Sequence, residues 1–325
     1  MKPQDEWKKK VRRILMEPGG RAALKEFGID VEVAEERKGT DQPTVVILMP
    51  TYRAPEPQTS DSLRLLVERS RREGATVYGG APIQASVVHW SRNRLITEQL
   101  LSGKPWTHAL LCDDDMVPRE DDLIKLLSHK KDIIGGLCTR RNDPPVPTIR
   151  HFVAESGVFE QIWEWPLNHT FEVGGVGTGF MLVTRHALEQ IAQAYFDCLW
   201  EKDFYEVSEA WVERERAKRL KHFDETKTAF WFRFLPAKAM AIEMGEDMSF
   251  CLMARKYCGL SIWCDSSVQP GHIGNYDFGI KDFLPYQKMI IEEAKKNGRY
   301  HDSPLPVSDA PAPSFHMTYE EPISA

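Results

Sequence analysis

The chain has 325 residues, 42% of them apolar and 28% charged, with a formal net charge of -6. That length suits one large domain or two small ones with a sizeable core, and the apolar fraction excludes a wholly disordered chain. With 21 glycines and 21 prolines it is neither collagen-like nor low-complexity, and its acidic balance argues against broad, non-specific binding to nucleic acid.

Residues 1–42 are charged and carry a helical fragment, Trp7 to Met16, ended by Pro18-Gly19-Gly20. The opening residues lack an apolar signal core, and no stretch reads as a transmembrane helix, so a soluble, cytoplasmic protein is expected. From Pro43 the pattern becomes regular. Thr44–Met49 is a β-branched and apolar run, the mark of a strand buried on both faces. Ser60–Arg72 then reads as an amphipathic helix, Ala75–Tyr78 as a strand, Ser91–Leu101 as a helix and His108–Cys112 as a strand. Asp121–His129 is a helix and Asp132–Leu137 a strand, an alternation that implies a parallel, doubly wound sheet.

After Cys138 the chain is less regular. Thr148–Phe152 and Phe159–Trp165 look like short strands, Phe180–Val183 is a clear strand and Arg185–Tyr195 a clear helix. The stretch 196–238, with the helical run Glu206–His222, reads as an insertion. Its Trp200, Trp211, Phe230, Trp231 and Phe232 either stack on sugars or bases or pack beneath the insertion. Its basic residues Arg214, Arg216, Lys218, Arg219 and Lys221 fit a solvated helix face. Gly245–Tyr257 reads as a helix, Ser261–Cys264 as a strand, Phe283–Asn297 as a helix and 301–325 as a Pro-rich tail. Six scattered cysteines without a C-x-x-C pair read as buried, reduced thiols rather than a metal site.

Four constellations carry chemistry. Asp113-Asp114-Asp115 directly follows a buried strand, at the sheet edge where ligands of open α/β proteins bind. Mutual repulsion among these carboxylates is relieved by a divalent cation, and alternation along an extended segment would let Asp113 and Asp115 share one ligand. Glu246-Asp247 opens a helix behind Gly245 and offers a carboxylate base, although acids in a first turn also simply complement the helix dipole. His272, in Gly271-His272-Ile273-Gly274, is poorly explained by core packing. With the carboxylates it makes an oxygen/imidazole set suited to Mn²⁺ better than Ca²⁺. Gly174-Gly175-Val176-Gly177-Thr178-Gly179 precedes a strand, the wrong order for a dinucleotide fold, and reads as a backbone wall beside a ligand or a plain turn.

In order along the chain, Pro50-Thr51-Tyr52-Arg53, Ser91-Arg92-Asn93-Arg94, Asp113-Asp114-Asp115, Gly177–Leu182, Gly245-Glu246-Asp247 and Gly271–Gly274 resemble the GT-A-fold glycosyltransferases of the family 2 type. The resemblance spans roughly residues 43 to 280. It implies a GT-A domain over 43–300, Rossmann-like, with a mostly parallel doubly wound sheet and an irregular acceptor-side half. It also implies transfer of a sugar from a nucleoside-diphosphate sugar to an acceptor hydroxyl with inversion, a UDP-sugar being the default donor and Mn²⁺ or Mg²⁺ the cofactor. Thr51, Tyr52 and Arg53 would line the nucleotide pocket, with Arg92 and Asn93 near the phosphates. Asp113-Asp114-Asp115 would be the D-x-D motif, with Asp113 near ribose or metal, Asp115 the direct metal ligand and His272 completing the site. Asp247 would be the general base with Glu246 beside it, and Gly177, Thr178, Gly179 and Phe180 would face sugar or acceptor. An acid usual after the second strand is missing, Gly79-Gly80-Ala81-Pro82 standing there. The acceptor is open among glycan, protein, lipid-linked sugar and modified nucleic-acid base. The alternatives are a metal-dependent nucleotidyl- or phosphotransferase, which leaves Glu246-Asp247 and His272 without work, and a non-catalytic nucleotide-sugar-binding module.

Overall fold

A computed structural model of the chain describes residues 42–306 apart from 53, 80–82, 85–86, 142–143, 155–156, 200–201, 203–206, 227–230, 233–234, 237–242, 275–276, 299 and 301–304. The expected helix Trp7–Met16, together with Arg53, Trp200 and Phe230, lies outside the described residues.

Seven segments build the central sheet: β1 (Thr44–Leu48), β2 (Thr76–Gly79), β3 (His108–Cys112), β4 (Ile133–Gly136), β5 (Thr170–Val173), β6 (Phe180–Thr184) and β7 (Ile262–Asp265). Their lateral order is β5-β7-β4-β6-β3-β1-β2. β1 pairs in parallel with β2 and β3, and β4 in parallel with β7. β6 runs antiparallel between β3 and β4, and β5 antiparallel to β7. The architecture is α/β with a mostly parallel sheet, as the alternation implies, but with β6 inserted against the grain.

The helices are α1 (Pro57–Arg72), α2 (Val88–Leu101), α3 (Asp122–Ser128), α4 (Arg185–Phe196), α5 (Glu209–Thr226), α6 (Glu246–Leu252), α7 (Ile280–Phe283) and α8 (Gln287–Lys296). Side chains of a strand alternate between faces, so the buried run of β1 serves two cores. Val45 and Ile47 join Leu63 and Leu66 of α1 and Leu123 and Leu126 of α3. Val46 and Leu48 join Leu95 and Ile96 of α2, Leu188 and Ile191 of α4 and Phe250 of α6. Each such side chain contributes about 1.5–3 kcal/mol when fully buried, which fixes the register of the sheet and hence the position of its edge.

Three details depart from the sequence expectation. β5 is a four-residue edge strand, and no strand is expected there from the sequence. The expected helix over Gly245–Tyr257 is α6 followed by a π-helical turn, Met253–Tyr257. Beyond residue 300, Leu305 packs on the core and the Pro306 carbonyl accepts a 2.8 Å hydrogen bond from Glu172 N–H on β5, so packing continues into the expected tail. Of the aromatics in the 196–238 stretch, Trp231 and Phe232 are fully buried core residues. Arg219 there is buried and donates to the Tyr195 carbonyl, whereas Lys218 and Lys221 stay on the surface beside Glu215 and Glu225. Among the described residues no helix is long and apolar enough to cross a membrane.

Candidate functional site

The three aspartates leave the carboxyl end of β3 beside the end of β1. Asp113 N–H donates to the Gly179 carbonyl at 3.0 Å, and the chain then turns, Met116 N–H bonding back to the Asp113 carbonyl at 3.3 Å. The alternation argued for an extended segment therefore does not apply, and each carboxylate has its own partners. Asp114 Oδ2 accepts from the Thr51 hydroxyl at 2.6 Å and from Tyr52 N–H at 3.2 Å. The Asp114 carbonyl accepts from Glu56 N–H at 2.9 Å, tying the motif to the entry of α1. Thr51 is buried and Tyr52 is 63% exposed.

Asp113 meets Arg92. The guanidinium is only 3% exposed and forks between two elements: Nη2 donates to both oxygens of Asp113 (2.7 and 3.0 Å), Nη1 to Glu246 Oε1 (3.2 Å) and Asp247 Oδ1 (3.1 Å). Burial alone would lower its pKa, but the surrounding carboxylates outweigh that and raise it, so its charge is permanent. The Glu246–Asp247 pair stands at the start of α6, where the helix dipole favours acids. Burial and the neighbouring Asp247 push the Glu246 carboxyl above its ordinary value. Asp247 Oδ1 also accepts a short 2.6 Å bond from the Thr178 hydroxyl, while the side chain remains 32% exposed.

Asp115 turns to the other flank. Its Oδ2 pairs with Arg141 at 2.8 Å, and its buried Oδ1 has no aligned hydrogen bond although His272 Nε2 stands 3.3 Å away. The segment bearing His272, Gly271–Ile273, pairs with Met116–Val117, and Ile273 N–H donates to the Asp115 carbonyl at 2.8 Å. His272 Nδ1 lies 2.7 Å from the Thr139 carbonyl, the contact that orients a metal-ligating imidazole through its other nitrogen. Burial would lower the imidazole pKa, but Asp115 and Thr139 raise it. Burial would raise the Asp115 carboxyl, but His272 and Arg141 hold it below its ordinary value.

This geometry bears on the cation that the family resemblance implies. Among the described residues no group of three or more His, Cys, Asp or Glu side chains is arranged to hold a metal ion. Asp115 Oδ1 and His272 Nε2 nevertheless face each other at 3.3 Å, near the separation of about 3 Å expected for adjacent ligands on a small octahedral ion. An orphaned buried carboxylate oxygen beside an oriented imidazole is a donor pair that fits such an ion.

Other expected site residues are placed differently. Asn93 is fully buried: its Oδ1 accepts from Trp231 N–H (2.8 Å) and Phe232 N–H (2.9 Å), and its Nδ2 donates to the Phe232 carbonyl (2.8 Å). It is a clamp on the 231–232 backbone, with no polar atom directed at a phosphate. The glycine loop lies flat on the strand Arg150–Val153 and the residues before it. A Cβ at Gly174 would stand 2.1 Å from Phe152 N, and one at Gly177 would stand 2.8 Å from Thr148 Cβ. Gly179, in contrast, borders the site, with Asp113 Oδ2 3.5 Å from its Cβ position. Arg141 and Thr139 were not expected from the sequence; the only signal was the pair Arg140-Arg141 just beyond β4.

No family model and no curated protein matches the chain. Among solved structures, the crystal structure of A197 from STIV is similar at 16% identity, covering 72% of this chain and 86% of that one, with a TM-score of 0.37. A likeness of that degree carries no argument about this chain.

Proposed function

We propose that the chain is a GT-A-type glycosyltransferase moving a sugar from a nucleoside-diphosphate sugar, a uridine diphosphate sugar by default, to an acceptor hydroxyl with inversion. The observation that carries this reading is convergence. Asp113–Asp115, Glu246–Asp247 and His272, distant in sequence, meet at the carboxyl edge of the sheet through Arg92 and the Asp115–His272 contact. A dinucleotide fold or a bare acidic turn gives no reason for that meeting.

Asp115 and His272 would hold the Mn²⁺ or Mg²⁺, which when bound supplies Lewis-acid stabilisation to the departing diphosphate. Thr51 and Tyr52, beside Asp114, border the same edge and form the wall for the nucleotide. Asp247 accepts the acceptor's proton. Its Oδ1 is fixed by Thr178 and Arg92, while Oδ2 has no hydrogen-bond partner among the described residues on a side chain one-third exposed. A base fixed by one oxygen and open at the other meets the geometric requirement for proton abstraction. The glycosyl carbon then forms its bond to the acceptor oxygen as its bond to the phosphate oxygen breaks.

The test is product analysis with nucleotide sugars and Mn²⁺. Slow release of nucleoside diphosphate, with Asp247→Asn retaining donor binding and losing transfer, supports the reading. Release of pyrophosphate, or transfer unaffected by Asp247→Asn, overturns it.

A further inference from the structure

Among the described residues Arg92 is the buried cation at the centre of this network, and a role as a phosphate ligand does not fit its geometry. At 3% exposure, both Nη atoms are committed to Asp113, Glu246 and Asp247, and the Nε–H, which has no hydrogen-bond partner among the described residues, is buried away from solvent, so the fork offers no solvent-facing donor to an anion. Phe232 lies under the guanidinium, 5.6 Å from ring centroid to Cζ, and the adjacent Asn93 clamps the Phe232 backbone in place. A guanidinium is not deprotonated in proteins, so this charge is a fixed part of the site.

A fixed positive charge among carboxylates opposes the entry of another cation. It also occupies both oxygens of Asp113, which leaves an incoming ion only Asp115 and His272, with Arg141 already on Asp115. Two protein ligands are few for an octahedral ion, and such ions are ordinarily completed by substrate phosphates. We propose that Arg92 is a built-in counter-ion that occupies Asp113 in the ligand-free protein and makes capture of the divalent cation depend on simultaneous arrival of the diphosphate. This inference rests on the proposed function and adds an order to it: cation and nucleotide bind together, and the empty enzyme holds little metal.

The experiment measures Mn²⁺ binding to the full chain from the electron paramagnetic resonance signal of the free ion, with and without uridine diphosphate. Wild type should bind Mn²⁺ weakly alone and at least about ten-fold more tightly with the nucleotide. Arg92→Met should bind Mn²⁺ alone at least about ten-fold more tightly than wild type, because Asp113, no longer held by the guanidinium, becomes free to add a carboxylate ligand. Asp113→Asn should alter binding of the ion alone by less than about two-fold, whereas Asp115→Asn should abolish it. This second contrast decides the matter if Arg92→Met does not fold. Unchanged or weaker Mn²⁺ binding in Arg92→Met, or equal losses in Asp113→Asn and Asp115→Asn, overturns the inference while leaving the proposed function standing. No Mn²⁺ binding by wild type or Arg92→Met, with or without nucleotide, overturns both.

Discussion

Replacing Asn93 with alanine separates a structural clamp from a ligand-binding residue. The change deletes three hydrogen bonds in a fully buried place: two backbone N–H groups, of Trp231 and Phe232, lose their acceptor and the Phe232 carbonyl loses its donor. A buried polar group left without a partner costs about 1–3 kcal/mol, so for three such groups the expected loss is at least about 3 kcal/mol, approached most closely if water enters the cavity. The lost stability should centre on Trp231 and Phe232, two of the largest fully buried side chains, and through Phe232 it should loosen Arg92. Urea unfolding followed by tryptophan fluorescence measures the loss, and hydrogen exchange at the Trp231 and Phe232 amides locates it. A loss below about 1 kcal/mol, together with a large fall in nucleotide affinity, would refute the clamp and restore Asn93 to the ligand pocket.

Gly174→Ala forces a Cβ to within 2.1 Å of a neighbouring backbone nitrogen and should prevent accumulation of folded protein, while Gly245→Ala, with no atom within 4 Å, should unfold within about 0.5 kcal/mol of wild type in the same assay. Asp265 is fully buried against His129 at 2.8 Å; burial would raise its carboxyl, but His129 and Ser267 hold it below its ordinary value. Its contribution is therefore complete above about pH 4 and lost as pH falls through the depressed folded value. His129→Ala should cost about 3–5 kcal/mol at pH 7, and the gap from wild type should narrow in acid-unfolding curves. A constant gap would contradict the pairing. Burial pushes the Asp122 carboxyl up to about 6, so the folded state binds the extra proton between its ordinary value and that pH. Stability should fall by up to about 3 kcal/mol as pH rises through this window, and Asp122→Asn should flatten that slope in denaturant titrations at stepped pH.

Much of the fold is legible because buried strands are continuous apolar runs. His108–Cys112 is expected and found with the same bounds, and Thr44–Met49 and Asp132–Leu137 are each found within a residue or two. Strand direction is not legible: Phe180-Met181-Leu182-Val183-Thr184 reads the same whether parallel or antiparallel, and only long-range pairing with β3 and β4 sets it against them. β5 escapes because four residues between Asn168-His169 and Gly174-Gly175 carry too little periodicity to register. At the site, residue types point to the right edge of the sheet, but their partners depend on contacts across the fold. Nothing in Ser91-Arg92-Asn93 indicates that Arg92 turns inward to three carboxylates while Asn93 grips a backbone far along the chain. Asp113 and Asp115 diverge because the chain turns at Asp114–Asp115, a feature that an apolar strand running into aspartates does not disclose.

The central claim is that Asp115 and His272 take a divalent cation together with a nucleoside diphosphate. Isothermal titration of uridine diphosphate into the full chain, with Mn²⁺ and with chelator, in wild type, Asp115→Ala and His272→Ala, tests it most directly. Saturable binding is expected only with Mn²⁺, lost in Asp115→Ala and weakened at least about ten-fold in His272→Ala. Binding of equal strength in chelator, or retained in full by Asp115→Ala, would contradict it.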